Sequence, residues 1–323
     1  MIDWRTQRVV VTGGAGFLGS HVVDALRARG CTSIVVPRSR EFDLRDRSAI
    51  DRLFADARPT LVMHLAATVG GIGANRAEPG RYFYDNAVMG IEVVDAARRF
   101  DVAKLVVVGT ACSYPRDAAV PVREDDLWDG YPEATNAPYG VAKRALVVQC
   151  QAYRSQYGLN AITVVPANLY GPRDHFDLHA GHVIPALIRK CVEARDRGDV
   201  RVTGWGSGAP TRDFLYVEDA AEGLVLAAER YDSPEPVNLG TGRETTIRDV
   251  AEAIARITRF GGTLRWDASQ PDGQPRRALD ASRAERTLGF RAAMSLEEGL
   301  QRTIAWYEMH SPDKAEASGR SPK

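Results

Sequence analysis

Cysteine is scarce: the chain of 323 residues has four, Cys31, Cys112, Cys150 and Cys191, with no Cys-x-x-Cys pair and no histidine cluster beside them. That excludes a disulfide framework or a zinc centre as the organising element, and no metal ligand is assigned. Neither sign of charge prevails, since 42 Lys and Arg offset 42 Asp and Glu. A chain so balanced lacks the basic footprint of a nucleic-acid binder, and any anion it takes must be held by local groups. No run approaches the ~20 apolar residues of a membrane helix. Met1-Ile2-Asp3-Trp4 leads straight into an apolar strand, which leaves no room for a signal peptide, and a cytoplasmic location is expected. Internal repeats are absent.

What the chain does have is alternation. Short β-branched runs at residues 8–12, 33–36, 60–64, 104–108 and 161–165 are separated by amphipathic stretches such as 20–29 and 88–99. Strands that are apolar at nearly every position suit a parallel sheet covered on both faces. The pattern predicts an α/β fold, a doubly wound parallel Rossmann sheet. After Pro166 the composition turns to Gly, Pro, His and Asp, with helical stretches at 184–197, near 217, at 247–257 and at 296–307 and a strand at 236–239. The expectation is a dinucleotide-binding domain over 1–167, rejoined by 213–242, and a smaller, mainly C-terminal substrate domain from 168–212 and 243–310. Residues 311–323 read as an unstructured tail.

Thr12-Gly13-Gly14-Ala15-Gly16-Phe17-Leu18-Gly19 follows the first strand and opens a helix. Glycines let the backbone approach a pyrophosphate, and a helix N-terminus offers it free N–H groups. Gly14, Gly16 and Gly19 satisfy GxGxxG; Gly13, Gly16 and Gly19 equally satisfy GxxGxxG. The strand-before, helix-after context makes dinucleotide binding the expectation rather than a plain turn. The second strand ends in Pro37-Arg38-Ser39-Arg40, where an acidic residue would favour NAD; arginines suit a 2′-phosphate, so NADP(H) is favoured and NAD(H) is the other option. Asp43 and Leu44 are placed beside the adenine.

Tyr139-Gly140-Val141-Ala142-Lys143 puts a phenol and an ammonium on one helical face, where the ammonium is expected to lower the phenol's pKa. Thr110, at the end of the fourth strand, offers a hydroxyl to a substrate carbonyl.

Together these residues resemble the extended short-chain dehydrogenases, the NAD-dependent epimerase/dehydratase family. The likeness runs from Arg8 to about Tyr307. It extends through His64-Leu65-Ala66-Ala67, Val69-Gly70-Gly71-Ile72-Gly73-Ala74-Asn75, Cys112-Ser113-Tyr114-Pro115, Asn168-Leu169-Tyr170-Gly171-Pro172, the stretch from His182 to Lys190, Trp205-Gly206-Ser207-Gly208 and Arg212-Asp213-Phe214. Within the family it is similar to the branch that epimerises and reduces GDP-4-keto-6-deoxy-D-mannose to GDP-L-fucose. The resemblance implies that Thr110, Tyr139 and Lys143 reduce the ketone and that Cys112 and His182 carry the epimerisation. It implies cofactor contacts from Gly13, Gly16, Phe17, Leu18, Gly19, Arg38, Asp43 and Leu44, and from Leu65, Ala66, Ala67, Pro166, Asn168, Leu169 and His182 beside the Tyr–Lys pair. It further implies nucleotide-sugar contacts from Asn168, Lys190, Trp205 and Arg212, and a homodimer through the helix after Asn86 and the one carrying Tyr139. Three positions depart from the family: Thr110 replaces serine, the glycine loop lacks a basic residue, and His175 stands where Asn is commoner. Cys31, Cys150, Cys191, His21, His64 and His179 are assigned no catalytic role.

The chemistry explains the set. A C4 ketone acidifies the protons on C3 and C5. Inverting either centre takes a base on one ring face and an acid on the other, and a thiol and an imidazole can fill those roles near neutrality. Hydroxyls on the carbonyl oxygen would hold the enolate and then assist reduction. The alternatives are an NAD(P)-dependent 4-epimerase or simple 4-ketoreductase on a related GDP- or dTDP-sugar, or a non-catalytic dinucleotide sensor, which typically lacks the Tyr–Lys pair.

Overall fold

The computed structural model describes residues 2–178, 181–270 and 272–311. His179 and residues 312–323 of the expected tail lie outside the described residues.

The first half lays down β1 (Arg8–Thr12), α1 (Phe17–Ala28), β2 (Ser33–Val35), α2 (Arg47–Ala57), β3 (Leu61–His64), α3 (Ile72–Ala77), α4 (Pro79–Arg99), β4 (Lys104–Val108), α5 (Ala137–Tyr157) and β5 (Ala161–Pro166). There follow β6 (Asn168–Tyr170), α6 (Val183–Arg197), β7 (Arg201–Trp205), β8 (Thr211–Arg212), β9 (Phe214–Tyr216), α7 (Val217–Arg230) and β10 (Val237–Leu239). The chain closes with β11 (Thr245–Thr246), α8 (Ile247–Ile257), β12 (Thr263–Asp267), β13 (Arg276–Arg277), α9 (Ser282–Leu288) and α10 (Leu296–His310).

Six strands form one parallel sheet in the order β10-β5-β4-β3-β1-β2. The pleat of β1 shows why it is buried on both sides. Val9 and Val11 join a core with α1 and α7, while Val10 faces a second core built with α2, α4 and α5. A third core lies apart from the sheet, where α6, α8 and α10 bury Ile188, Cys191, Ile254 and Leu300 around Tyr170, Phe214 and Tyr216. Short strands tie this C-terminal part together: β8 between β11 and β13, β7 beside β12, and β6 beside β9.

Two helices begin well before their sequence patterns do. The first begins at Phe17, not at residue 20, because the glycine turn itself serves as its N-cap. α4 begins at Pro79, nine residues before the apolar pattern starts at 88. Its first turns bury polar groups that look solvent-facing in sequence: the Asn86 amide donates to the Tyr82 and Thr68 carbonyls at 2.7 and 2.9 Å, and Asp85 pairs with Arg45 at 3.2 Å. Satisfied this way, a buried amide and carboxylate carry little desolvation penalty.

Candidate functional site

A cleft of about 1200 Å³ opens above the C-terminal ends of the sheet strands and runs on against the third core. That is where open α/β sheets place ligands. Its floor is the glycine turn. Gly13 takes φ +71°, and a Cβ there would sit 2.8 Å from the Ala66 amide nitrogen. A Cβ on Gly19 would collide with the Gly13 carbonyl, so α1 can approach the turn only without a side chain at this position. α1 has no side-chain cap, and Gly16, Phe17 and Leu18 at its start line the cleft, where their amides present partial positive charge. Behind them the Thr12 hydroxyl accepts from the Ala66 amide at 3.2 Å, which leaves its proton for His64 Nδ1 at 2.8 Å. His64 thereby binds Leu65-Ala66-Ala67 to the glycine turn and is held far below its usual pKa, at about 3, by burial and by nearby Lys143.

At one end the wall is basic. Arg38 and Arg40 line it, and Arg40 pairs with Glu41 at 3.2 Å. The side chain of Asp43 is engaged by Arg45 at 2.7 Å, and Arg45 spans from there to Asp85; Asp43 thus braces this end of the cleft, with Leu44 buried beside it.

In the middle the reactive side chains converge. Thr110 caps a 3-10 turn over Ala111–Ser113, accepting from the Cys112 amide at 3.2 Å. Its hydroxyl also bonds the Tyr139 phenol, which projects from the first turn of α5. Burial and neighbouring Cys112 hold the phenol above its ordinary pKa, against the opposing effect of Thr110. This corrects the expectation that Lys143 lowers it. The buried Lys143 ammonium donates to the Val108 carbonyl at 3.0 Å, and burial drops its pKa to about 8, so it gives up its proton before the phenol would titrate. His182 stands at the N-cap of α6 and lines the cleft; desolvation within the cleft, and then neighbouring His175, lower its pKa.

At the far end the Asn168 amide donates to the Asp213 carbonyl at 3.1 Å, and Lys190 reaches the Thr203 carbonyl at 3.0 Å. Trp205 is exposed at the end of β7. Arg212 donates to the Thr211 and Gln274 carbonyls, both at 2.7 Å, and burial and Arg277 bring its pKa down to about 10. The residues to which the sequence assigns catalytic, cofactor or nucleotide-sugar contacts, including Pro166 and Leu169, all line this one cleft.

Residues 9–240 match the NAD dependent epimerase/dehydratase family. The chain belongs to that family. A GDP-L-fucose synthase of Sinorhizobium fredii is 41% identical over 297 residues, 92% of this chain and 94% of that protein. The Escherichia coli GDP-L-fucose synthase is 40% identical over 310 residues, covering 93% and 96%. Among solved structures, a GDP-L-fucose synthetase from Naegleria fowleri bound to NADP has 30% identity and a TM-score of 0.87, over 95% of this chain and 96% of that one. For a family of nucleotide-linked chemistry, two cleft residues were missed in sequence. Arg277 is buried next to Arg212 in strand register, within a Pro-Arg-Arg stretch that carries no periodic cue. Asp174 is buried with one carboxylate oxygen lacking a partner among the described residues, two positions after the Gly-Pro pair. An Asp in a Gly/Pro-rich loop reads as a turn residue, so its burial has no signal in sequence.

Proposed function

We propose that this protein uses NADPH to epimerise C3 and C5 and reduce C4 of a nucleotide 4-keto-6-deoxy sugar, converting GDP-4-keto-6-deoxy-D-mannose to GDP-L-fucose. One observation carries the reading: in a chain about 40% identical to GDP-L-fucose synthases over nearly its whole length, Thr110, Cys112, Tyr139, Lys143 and His182 line the same cleft as the glycine turn.

The residues fit the cofactor. Gly13 and Gly19 leave a cradle that a Cβ would fill, the start of α1 is uncapped, and Arg38 supplies a cation at the end where a 2′-phosphate would lie. NADPH would supply hydride to C4. The protein's part is proton control. Cys112 and His182 remove and return protons on opposite ring faces, Thr110 and Tyr139 hold the C4 oxygen as charge develops on it, and Tyr139 delivers its proton when the carbonyl is reduced. Asn168, Lys190, Trp205 and Arg212 hold the nucleotide sugar, on the C-terminal unit of 168–212 and 243–310.

Exposed Phe83, Tyr84 and Ile91 on α4 and Val148 on α5 support a homodimer in which these helices pair with their copies. The free cysteines suit a cytoplasmic enzyme. The test is turnover of GDP-4-keto-6-deoxy-D-mannose in deuterated water. NADPH is oxidised, label enters C3 and C5, and Cys112→Ser loses most of the label. Oxidation by the wild type with no label at either carbon removes the epimerase half.

A further inference from the structure

The turn that carries Cys112 is held from two directions. From α5, the Ser113 hydroxyl donates to the Gly140 carbonyl at 3.0 Å, Arg144 Nε donates to the Ser113 carbonyl, and the Cys112 carbonyl lies so close to Gly140 that a Cβ there would collide with it. From the other side comes one contact far away in sequence. Arg277 Nη1 donates to the Ala111 carbonyl at 3.0 Å, across 166 residues. Arg277 is 6% exposed, and its Nη2 donates to Gln274 Oε1. The Gln274 carbonyl in turn accepts from Arg212, which faces Arg277 across the β8–β13 pair.

Building on the epimerase-reductase reading, we propose that Arg277 is a positioning residue for the epimerisation step, fixing the Cys112 turn against the strand pair that carries Arg212. A charge-assisted bond to a backbone carbonyl is short and directional, so it sets where the residue after Ala111 projects. Thr110 has an anchor of its own besides its bond to the Cys112 amide, because the neighbouring Gly109 amide is bonded to the Val164 carbonyl of the sheet at 2.8 Å. The reduction apparatus is thus anchored to β4 and α5, while the turn that carries the thiol is anchored jointly to α5 and to the C-terminal unit. Arg212 lies within electrostatic reach of the same thiol, which places Cys112 between the two parts of the molecule.

The experiment compares Arg277→Lys and Gln274→Ala with the wild-type enzyme. Lysine keeps the charge but cannot hold the Ala111 carbonyl and Gln274 at once, and Gln274→Ala removes the second anchor while leaving Arg277 in place. Three quantities are read: deuterium entry at C3 and C5, NADPH oxidation, and the dissociation constant for GDP by calorimetry. The ratio of deuterium entry to NADPH oxidation should fall about tenfold or more in Arg277→Lys, as a displacement of about 1 Å would produce. Gln274→Ala should give a smaller fall in the same direction. If exchange, oxidation and GDP affinity all fall in parallel in both variants, or the ratio does not change, the positioning role is wrong while the function stands. A wild-type enzyme that oxidises NADPH without exchange overturns the epimerase reading itself, and this inference with it.

Discussion

Replacing Gly19 by alanine tests the cofactor cradle through its tightest contact. The new Cβ would press on the Gly13 carbonyl and lie 2.6 Å from the Gly14 Cα, where ordinary contact begins at 3.4 Å, and both neighbours are backbone. No side chain can swing away, so α1 must withdraw from the turn by at least about 0.8 Å, the difference between those two distances, and further to clear the Gly13 carbonyl. Overpacking of this kind costs about 1–3 kcal/mol. Alanine returns up to about 1 kcal/mol in helix propensity, so the net loss of stability is about 0–2 kcal/mol. The effect on binding is larger than on folding. The free amides at the start of α1 are carried away from the pyrophosphate by the same displacement, and a loss of about 1.4 kcal/mol there raises the NADPH dissociation constant tenfold. Fluorescence titration of NADPH measures it, and thermal denaturation reports the folding term separately. The expected result is binding weakened at least about tenfold by a protein that still melts cooperatively within a few degrees of the wild type. Binding within about twofold of wild type would falsify the claim that the glycine turn holds the cofactor.

Two predictions concern buried titrating groups. Lys143 has its pKa lowered from 10.5 to about 8, so the folded state sheds this proton before the unfolded chain does. Stability from this group therefore rises as pH goes from about 8 to 10.5, while kcat/KM for NADPH oxidation falls through about 8 if Lys143 takes the part in ketone reduction that the family resemblance implies; a rate profile flat to pH 9.5 refutes that part. Asp174 has its pKa raised from 3.8 to about 7 by burial, so its contribution to stability is fully present below the unfolded value and is lost as pH rises towards 7. Asp174→Asn should melt above wild type at pH 8 by a few degrees, with the two converging near pH 4; equal melting points at both pH values would show that the carboxyl is not buried in solution.

How much of this was legible in the chain depended on the distance over which each signal acts. The glycine turn, the Tyr139–Lys143 pair and the strands of the sheet are local patterns, each complete within eight residues, and each stands where its spacing put it. The helix α8 begins at Ile247 and ends at Ile257 as its periodicity reads. The start of α4 was illegible because burial there depends on partners supplied from elsewhere, Thr68 and Arg45, that make polar residues acceptable in a core. The Tyr–Lys pair shows the converse. Its geometry follows from helical spacing, but its electrostatics do not, because the pKa of Lys143 is set by how much of the rest of the chain is wrapped around it. Arg277 is the extreme case: its strand is two residues long, and its meaning comes from a register with Arg212 and a carbonyl 166 positions earlier. Candidate site residues can therefore be read from local motifs, whereas residues that hold those motifs in relation to one another emerge only when the chain is folded. The Cys112 turn depends on the second kind, since it packs against α5 yet is also held by Arg277 of β13.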